Sequence, residues 1–169
     1  RVDAAALSLL PSFPALRQLM PMDADDDGFR HVGRCEQLEK LWCMYCRETG
    51  DRATEHLAAL SNLKLYYAGM TKITDRSLEI LAGISSLEEL EFWQCAALST
   101  EGVVHLARLP RLQRLSLDGL SNVGSGASMS TRFTICMATF SVMRSKCGLA
   151  GLSSSTSEPM CPSSPRIRI

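Results

Sequence analysis

The chain has 169 residues, 46% of them hydrophobic and 21% charged, enough apolar side chain for a domain with a buried core. Lysine plus arginine equals aspartate plus glutamate at 18 each, so no net charge favours nucleic acid or an anionic membrane surface, and neither is expected as a partner. No apolar run approaches the roughly eighteen residues of a membrane helix, and no charged-then-apolar leader opens the chain. The seven cysteines stand singly rather than in a dense disulfide framework, so reduced thiols and an intracellular location, cytoplasmic or nuclear, are expected.

In chain order, residues 3 to 10 predict a helix, with Leu7 and Leu10 starting a three-residue spacing that continues to Phe13 and Leu16. Pro11 and Pro14 should end it, since proline lacks an amide donor and disfavours helix before it. The absence of an initiator methionine and the start inside a pattern suggest a fragment or processed product of a longer parent chain with further repeats. Leu16 and Leu19 open the first complete unit, followed by the acidic run Asp23-Ala24-Asp25-Asp26-Asp27-Gly28 and a helix carrying Phe29 and Val32. A calcium loop alternates its ligands and closes on a glutamate, and this run does neither. Carboxylates favouring the amide dipoles of a helix start account for it without a metal.

The next unit contains Cys43-Met44-Tyr45-Cys46, a spacing able to serve redox exchange or half of a zinc site. Cys43 falls where Phe92 and Leu117 fall, and Cys46 where Cys95 and Leu120 fall, so both read as small core residues. Zinc would need two more ligands, and His31, His56 and His105 stand on separate predicted helices. No metal or cofactor is expected; a Cys-based metal or redox protein using Cys43 and Cys46 is the alternative function. Farther on, Leu63-Lys64-Leu65 stands where Leu-x-x-Leu is expected, which predicts a bulge or an irregular start to the strand. Thr74-Asp75 and Ser99-Thr100 supply helix starts whose oxygens should accept from free amides.

Between residues 62 and 124 the chain repeats itself. Leu41, Leu65, Leu90 and Leu115 stand 24, 25 and 25 residues apart. Within a unit, Leu90 and Phe92 alternate with Glu91 and Trp93 as in a half-buried strand, whereas Val103, Leu106, Leu109 and Leu112 recur about one helical turn apart. Each unit is thus a strand, a turn and a helix, and only stacking buries its apolar side. Leu87, Leu90, Phe92, Cys95 and Leu98, with Leu65, Tyr67, Met70, Ile73, Thr74 and Asp75 in the unit before, resemble the cysteine-containing subtype of the leucine-rich repeat family, as in F-box proteins. The resemblance covers about residues 3 to 124. It implies an α/β solenoid of four to five repeats, with short parallel strands on the concave side and helices on the convex side. It also implies an intracellular protein-binding module, here a substrate-recognition part of an F-box-type ubiquitin ligase, although nothing in the chain matches the F-box itself.

Residues 1–124 are accordingly expected to form the repeat domain, and residues 125–169 a Ser-rich, flexible tail in which residues 133–143 are apolar enough for a helix or strand. An uncapped last repeat leaves a further alternative, a truncated product with little function of its own. No catalytic constellation emerges, so an enzyme is not expected. The strand residues alternating with the core predict two columns facing outward: Met20, Trp42, Tyr66, Glu91 and Ser116, then Met22, Met44, Ala68, Trp93 and Asp118, with Tyr45 and Gln94 beside them. From these columns, Met20, Trp42, Met44, Tyr45, Tyr66, Glu91, Trp93, Gln94 and Asp118 are the expected binding residues. Aromatic and methionine side chains dominate protein interfaces, and the adjacent Glu88, Glu89 and Glu91 favour a protein partner with a basic, partly apolar segment.

Overall fold

Alternating burial along most of the strands and apolar spacing along the helices give the chain an α/β architecture in a single sheet. The computed structural model describes residues 4–123 and the backbone of residues 133–136. Five strands run parallel in chain order: β1 (Gln18–Leu19), β2 (Lys40–Met44), β3 (Leu65–Gly69), β4 (Glu89–Trp93) and β5 (Arg114–Asp118). Five helices alternate with them: α1 (Ala4–Leu7), α2 (Asp26–Val32), α3 (Asp51–Leu57), α4 (Asp75–Leu81) and α5 (Thr100–His105). Parallel neighbours need a crossover, and here each crossover carries one short α-helix that packs on the helix of a neighbouring unit.

The strand side chains Leu41, Cys43, Tyr66, Ala68, Leu90, Phe92, Leu115 and Leu117 share one core with Phe29, Val32, Leu57, Leu78, Leu81 and Leu106 from the helical side. Helices therefore cover one face of the sheet, and the alternate strand residues on the other stay at least partly open except Leu65 and Gly69 of β3.

The helices are shorter than the leucine spacing implies. Beyond α3, Leu60 and Leu63 are held by successive bonds to the carbonyl three residues back, 2.9 and 3.2 Å. Cys35 and Leu38 repeat this after α2, and Ile84 and Leu87 after α4. A spacing of three is the 3-10 period, and it carries the chain from the helix end to the next strand with its apolar side inward. After α5 a 3-10 turn spans Leu106–Arg108, and Leu109, just before Pro110, is already extended. Near the start, a 3-10 turn over Leu10–Ser12 continues past Pro11, which occupies a first-turn position where its missing amide is tolerated.

The expected bulge is absent. β3 pairs evenly with both neighbours, Leu41↔Tyr66↔Leu90 and Cys43↔Ala68↔Phe92. The reason is that Leu63, not Leu65, stands in the place of Leu38 and Leu87, bonded to Leu60 as they are to Cys35 and Ile84. The missing residue falls after the strand instead, where Thr71 and Ile73 are separated by Lys72 alone. Tyr66 and Ala68 thus take core positions, large beside small, and the Tyr66 ring meets Phe92 edge-on at 6.3 Å. Tyr66 and Ala68 are wholly buried, which corrects the expectation that both face outward. Leu65 lies on the open side but is only 9% exposed and belongs to no core cluster.

The residue just past each of β2 to β5 has positive φ, Tyr45 (56°), Met70 (55°), Gln94 (50°) and Gly119 (66°), and Asp23 (54°) matches them just past Met22, which bridges to Met44. The left-handed turn keeps the ladder going, because the amides of Tyr45, Met70 and Gln94 bond Gly69, Trp93 and Asp118 carbonyls on the next strand.

The acidic run acts at helix starts, as expected of it. Asp25 caps α2 through the Gly28 amide (3.0 Å), and Asp26 accepts from the Gly50 amide of the following unit (2.7 Å). Thr74 caps α4 through the Arg76 amide, but Ser99 makes no such cap and binds Asp75 instead. The boundary expected at 124 and the tail expected to be flexible lie outside the described residues, apart from β6 (Phe133–Cys136), a strand antiparallel to β5. Among the described residues no helix is long and apolar enough to cross a membrane.

Candidate functional site

The parallel register sorts the open face of the sheet into rows. One runs Lys40, Leu65, Glu89, Arg114; the next Trp42, Tyr67, Glu91, Ser116; the third Met44, Gly69, Trp93, Asp118, with Met22 paired to Met44. Trp42, Met44, Tyr67, Glu91, Trp93 and Asp118 are half-buried. Met20 and Met22 are about half exposed, and Tyr45, just past the strand end, is exposed.

Met44, Tyr45, Glu91, Trp93 and Asp118, all expected at the site, line one groove of about 580 Å³ together with Tyr67, Arg114 and Ser116. Met20, Trp42 and Gln94 lie outside it. Tyr66, expected here, is in the core, and its neighbour Tyr67 takes the surface position. The one-residue shift at Leu63 accounts for that exchange, and counting the period from Leu63 rather than Leu65 would have found Tyr67.

Gly69 shapes the groove. A β-carbon there would meet the Tyr67 hydroxyl oxygen at 2.8 Å and its ring at 2.9 Å, so the Tyr67 ring lies over bare backbone in the slot between Met44 and Trp93. Tyr45 reaches the same place from its left-handed strand end. Its ring stands edge-on to Trp93, centroids 6.2 Å apart and planes at 87°. Such pairs contribute about 0.5 to 1.5 kcal/mol beyond area burial, enough to hold the two rings as a corner.

The groove carries acid. Glu91 and Asp118 line it, and the one cation among its described lining residues, Arg114, is paired with Glu89. Glu91 forms no ion pair among the described residues. Burial, and after it the Glu91 carboxylate, raise the Tyr67 phenol above its ordinary value, with Tyr45 and Asp118 adding to the effect. At the edge of the face Glu39 binds Lys64 at 2.8 Å, which lowers the Glu39 carboxyl.

Cys43 and Cys46 lie in the core, not on this face. Burial pushes both thiols up, Cys43 far up, and the Cys46 thiol donates to the Pro21 carbonyl at 3.2 Å. Among the described residues no group of three or more His, Cys, Asp or Glu side chains is placed to hold a metal ion.

Compared with known proteins, the chain matches no protein-family model and no curated protein.

Proposed function

We propose that the chain is a leucine-rich-repeat solenoid of the cysteine-containing kind, whose open strand face binds an extended, basic and partly apolar segment of a protein partner. One observation carries the reading: Trp42, Met44, Tyr45, Tyr67 and Trp93 converge on one sheet face with Met20 and Met22 alongside. A contiguous aromatic and methionine surface is costly to leave in water and is the composition of interface anchors. The even 24- and 25-residue period, the sequential strand order and the helix-on-helix packing support the solenoid. Substrate recognition for a ubiquitin ligase is the extension implied by the repeat subtype.

The experiment is capture of a partner by the full chain and by variants. Tyr67→Ala and Trp93→Ala are each expected to weaken capture by about 1 to 3 kcal/mol, whereas Arg76→Ala and Glu101→Ala on the helical side leave it unchanged. The opposite pattern refutes the reading.

A further inference from the structure

The groove on the open face has a matching segment in the chain itself. β6 runs antiparallel to β5 with Cys136 opposite Arg114, so β6 ends beside a residue that lines the groove. Residues 137–146, which lie outside the described residues, contain no acidic side chain. Alternate residues of an extended chain share a face, which puts Phe140, Val142, Arg144 and Lys146 on one side, two apolar groups followed by two cations.

The groove answers both halves of that pattern. Tyr67, lying over bare backbone at Gly69, and Trp93, with Tyr45 edge-on to it, supply apolar walls. Glu91 supplies a carboxylate that forms no ion pair among the described residues. Reach then decides the occupant. Glu91 stands on β4, two strands from β6 and two residues along from the Arg114 row, which is about 12 Å from Cys136 at about 4.8 Å per strand and 3.3 Å per residue. Four extended residues cover about 13 Å, so Phe140 arrives at the groove, and the tether holds it there at an effective concentration on the order of millimolar.

Resting on the reading of this face as a protein-binding surface, we infer that residues 137–146 of the same chain occupy the groove when no partner is bound. Phe140 and Val142 lie against Tyr67 and Trp93, and Arg144 and Lys146 turn toward Glu91. The segment is a tethered competitor, and a partner gains the face only by displacing it.

The test compares the full chain with its triple variant Phe140→Ser/Arg144→Glu/Lys146→Glu, folding being checked by circular dichroism and binding followed through the indole resonances of Trp42 and Trp93. The probe is a capped peptide of residues 137–148 added to each. The variant is expected to move the Trp93 resonance more than that of Trp42, and to bind the peptide at least about tenfold more tightly than the natural chain, which has to release its own segment first. Adding Tyr67→Ala to the variant should weaken the peptide at least about fivefold. An unchanged Trp93 resonance, equal affinity for both chains, or peptide binding indifferent to Tyr67→Ala overturns the tethered segment. So does a difference that fades on dilution, which would seat the segment on a second copy. Capture of a partner through Tyr67 and Trp93 would survive each of those results. Loss of that capture with the tenfold difference intact would instead overturn the partner reading alone.

Discussion

Asp51 reaches from the first turn of its own helix to the cap of the next, accepting from both the backbone amide of Thr74 (2.9 Å) and its hydroxyl (2.7 Å). Ser77 donates to the same carboxylate, and its oxygen in turn accepts from the Thr54 hydroxyl at 2.9 Å, inside the buried layer between α3 and α4. Asp75 repeats the arrangement on Ser99, at 2.8 Å to the amide and 2.7 Å to the hydroxyl. The carboxylate thus ties consecutive units together at their helix starts, where free amides most need partners. Asp51→Ala leaves the Thr74 amide and the Ser77 hydroxyl without this acceptor, and is expected to cost about 1 to 3 kcal/mol in urea denaturation. A loss within experimental error of zero would show that water replaces the carboxylate freely.

The same residue predicts a pH dependence. Burial raises the Asp51 carboxyl, but the Ser77 hydroxyl, the Thr74 amide and hydroxyl, and Arg76 outweigh it and hold it below the ordinary value. A depressed carboxyl stabilises the fold fully above the unfolded value of about 3.9 and loses that contribution as pH falls through the lower folded value. The melting temperature should therefore fall more steeply below about pH 4 in the natural chain than in Asp51→Asn, which has no such proton to take up. Parallel curves would remove Asp51 from the account.

Tyr66 and Tyr67 are adjacent and opposite in role. Among the described residues the Tyr66 hydroxyl is buried without a hydrogen-bond partner, an orphan whose removal should not harm the fold. Tyr66→Phe is expected to leave stability unchanged or raise it by about 1 kcal/mol, and to leave partner binding untouched. Tyr66→Ala should cost about 3 to 5 kcal/mol through the cavity it opens beside Phe92. Tyr67→Ala, half-exposed, should spare the fold and weaken binding. Denaturation and binding measured on the three variants separate the roles.

The thiols give a fourth expectation. Cys35, Cys43, Cys46 and Cys95 are buried, and desolvation raises each of them. Thiolate is the reactive species, so all four should alkylate slowly in the native chain and rapidly in guanidinium, as mapped by mass spectrometry. Fast native labelling of Cys43 or Cys46 would revive the redox alternative.

The period and the strand alternation around Leu90 and Phe92 were legible in the sequence because leucine, phenylalanine and glutamate differ sharply in transfer free energy. Residues 63 to 70 were not. Leu65 fits a leucine ruler, while Tyr66 carries a polar hydroxyl and Ala68 is too small to mark a core position, so pattern alone favoured the wrong face. The short helices were misjudged for a different reason: spacing of three is shared by a helix face and by successive 3-10 bonds. The groove could not be read until register placed Gly69 between Met44 and Trp93. The carboxylate ties of Asp51 and Asp75 likewise depend on the separation of two units in space. Nothing in the local pattern near residue 133 gave the direction of β6.

The left-handed strand ends have a bearing on how such a surface can change. Outside glycine this conformation costs roughly 1 to 2 kcal/mol per residue, yet Tyr45, Met70 and Gln94 all adopt it while their amides keep the bond to the next strand. The backbone there accepts side chains as different as tyrosine, methionine and glutamine at that cost. These positions behave as sockets, in which the displayed group can be exchanged without disturbing the leucine layer beneath. Asparagine or glycine at Tyr45 would relax the socket and empty it, so at this position the strained residue is the informative one.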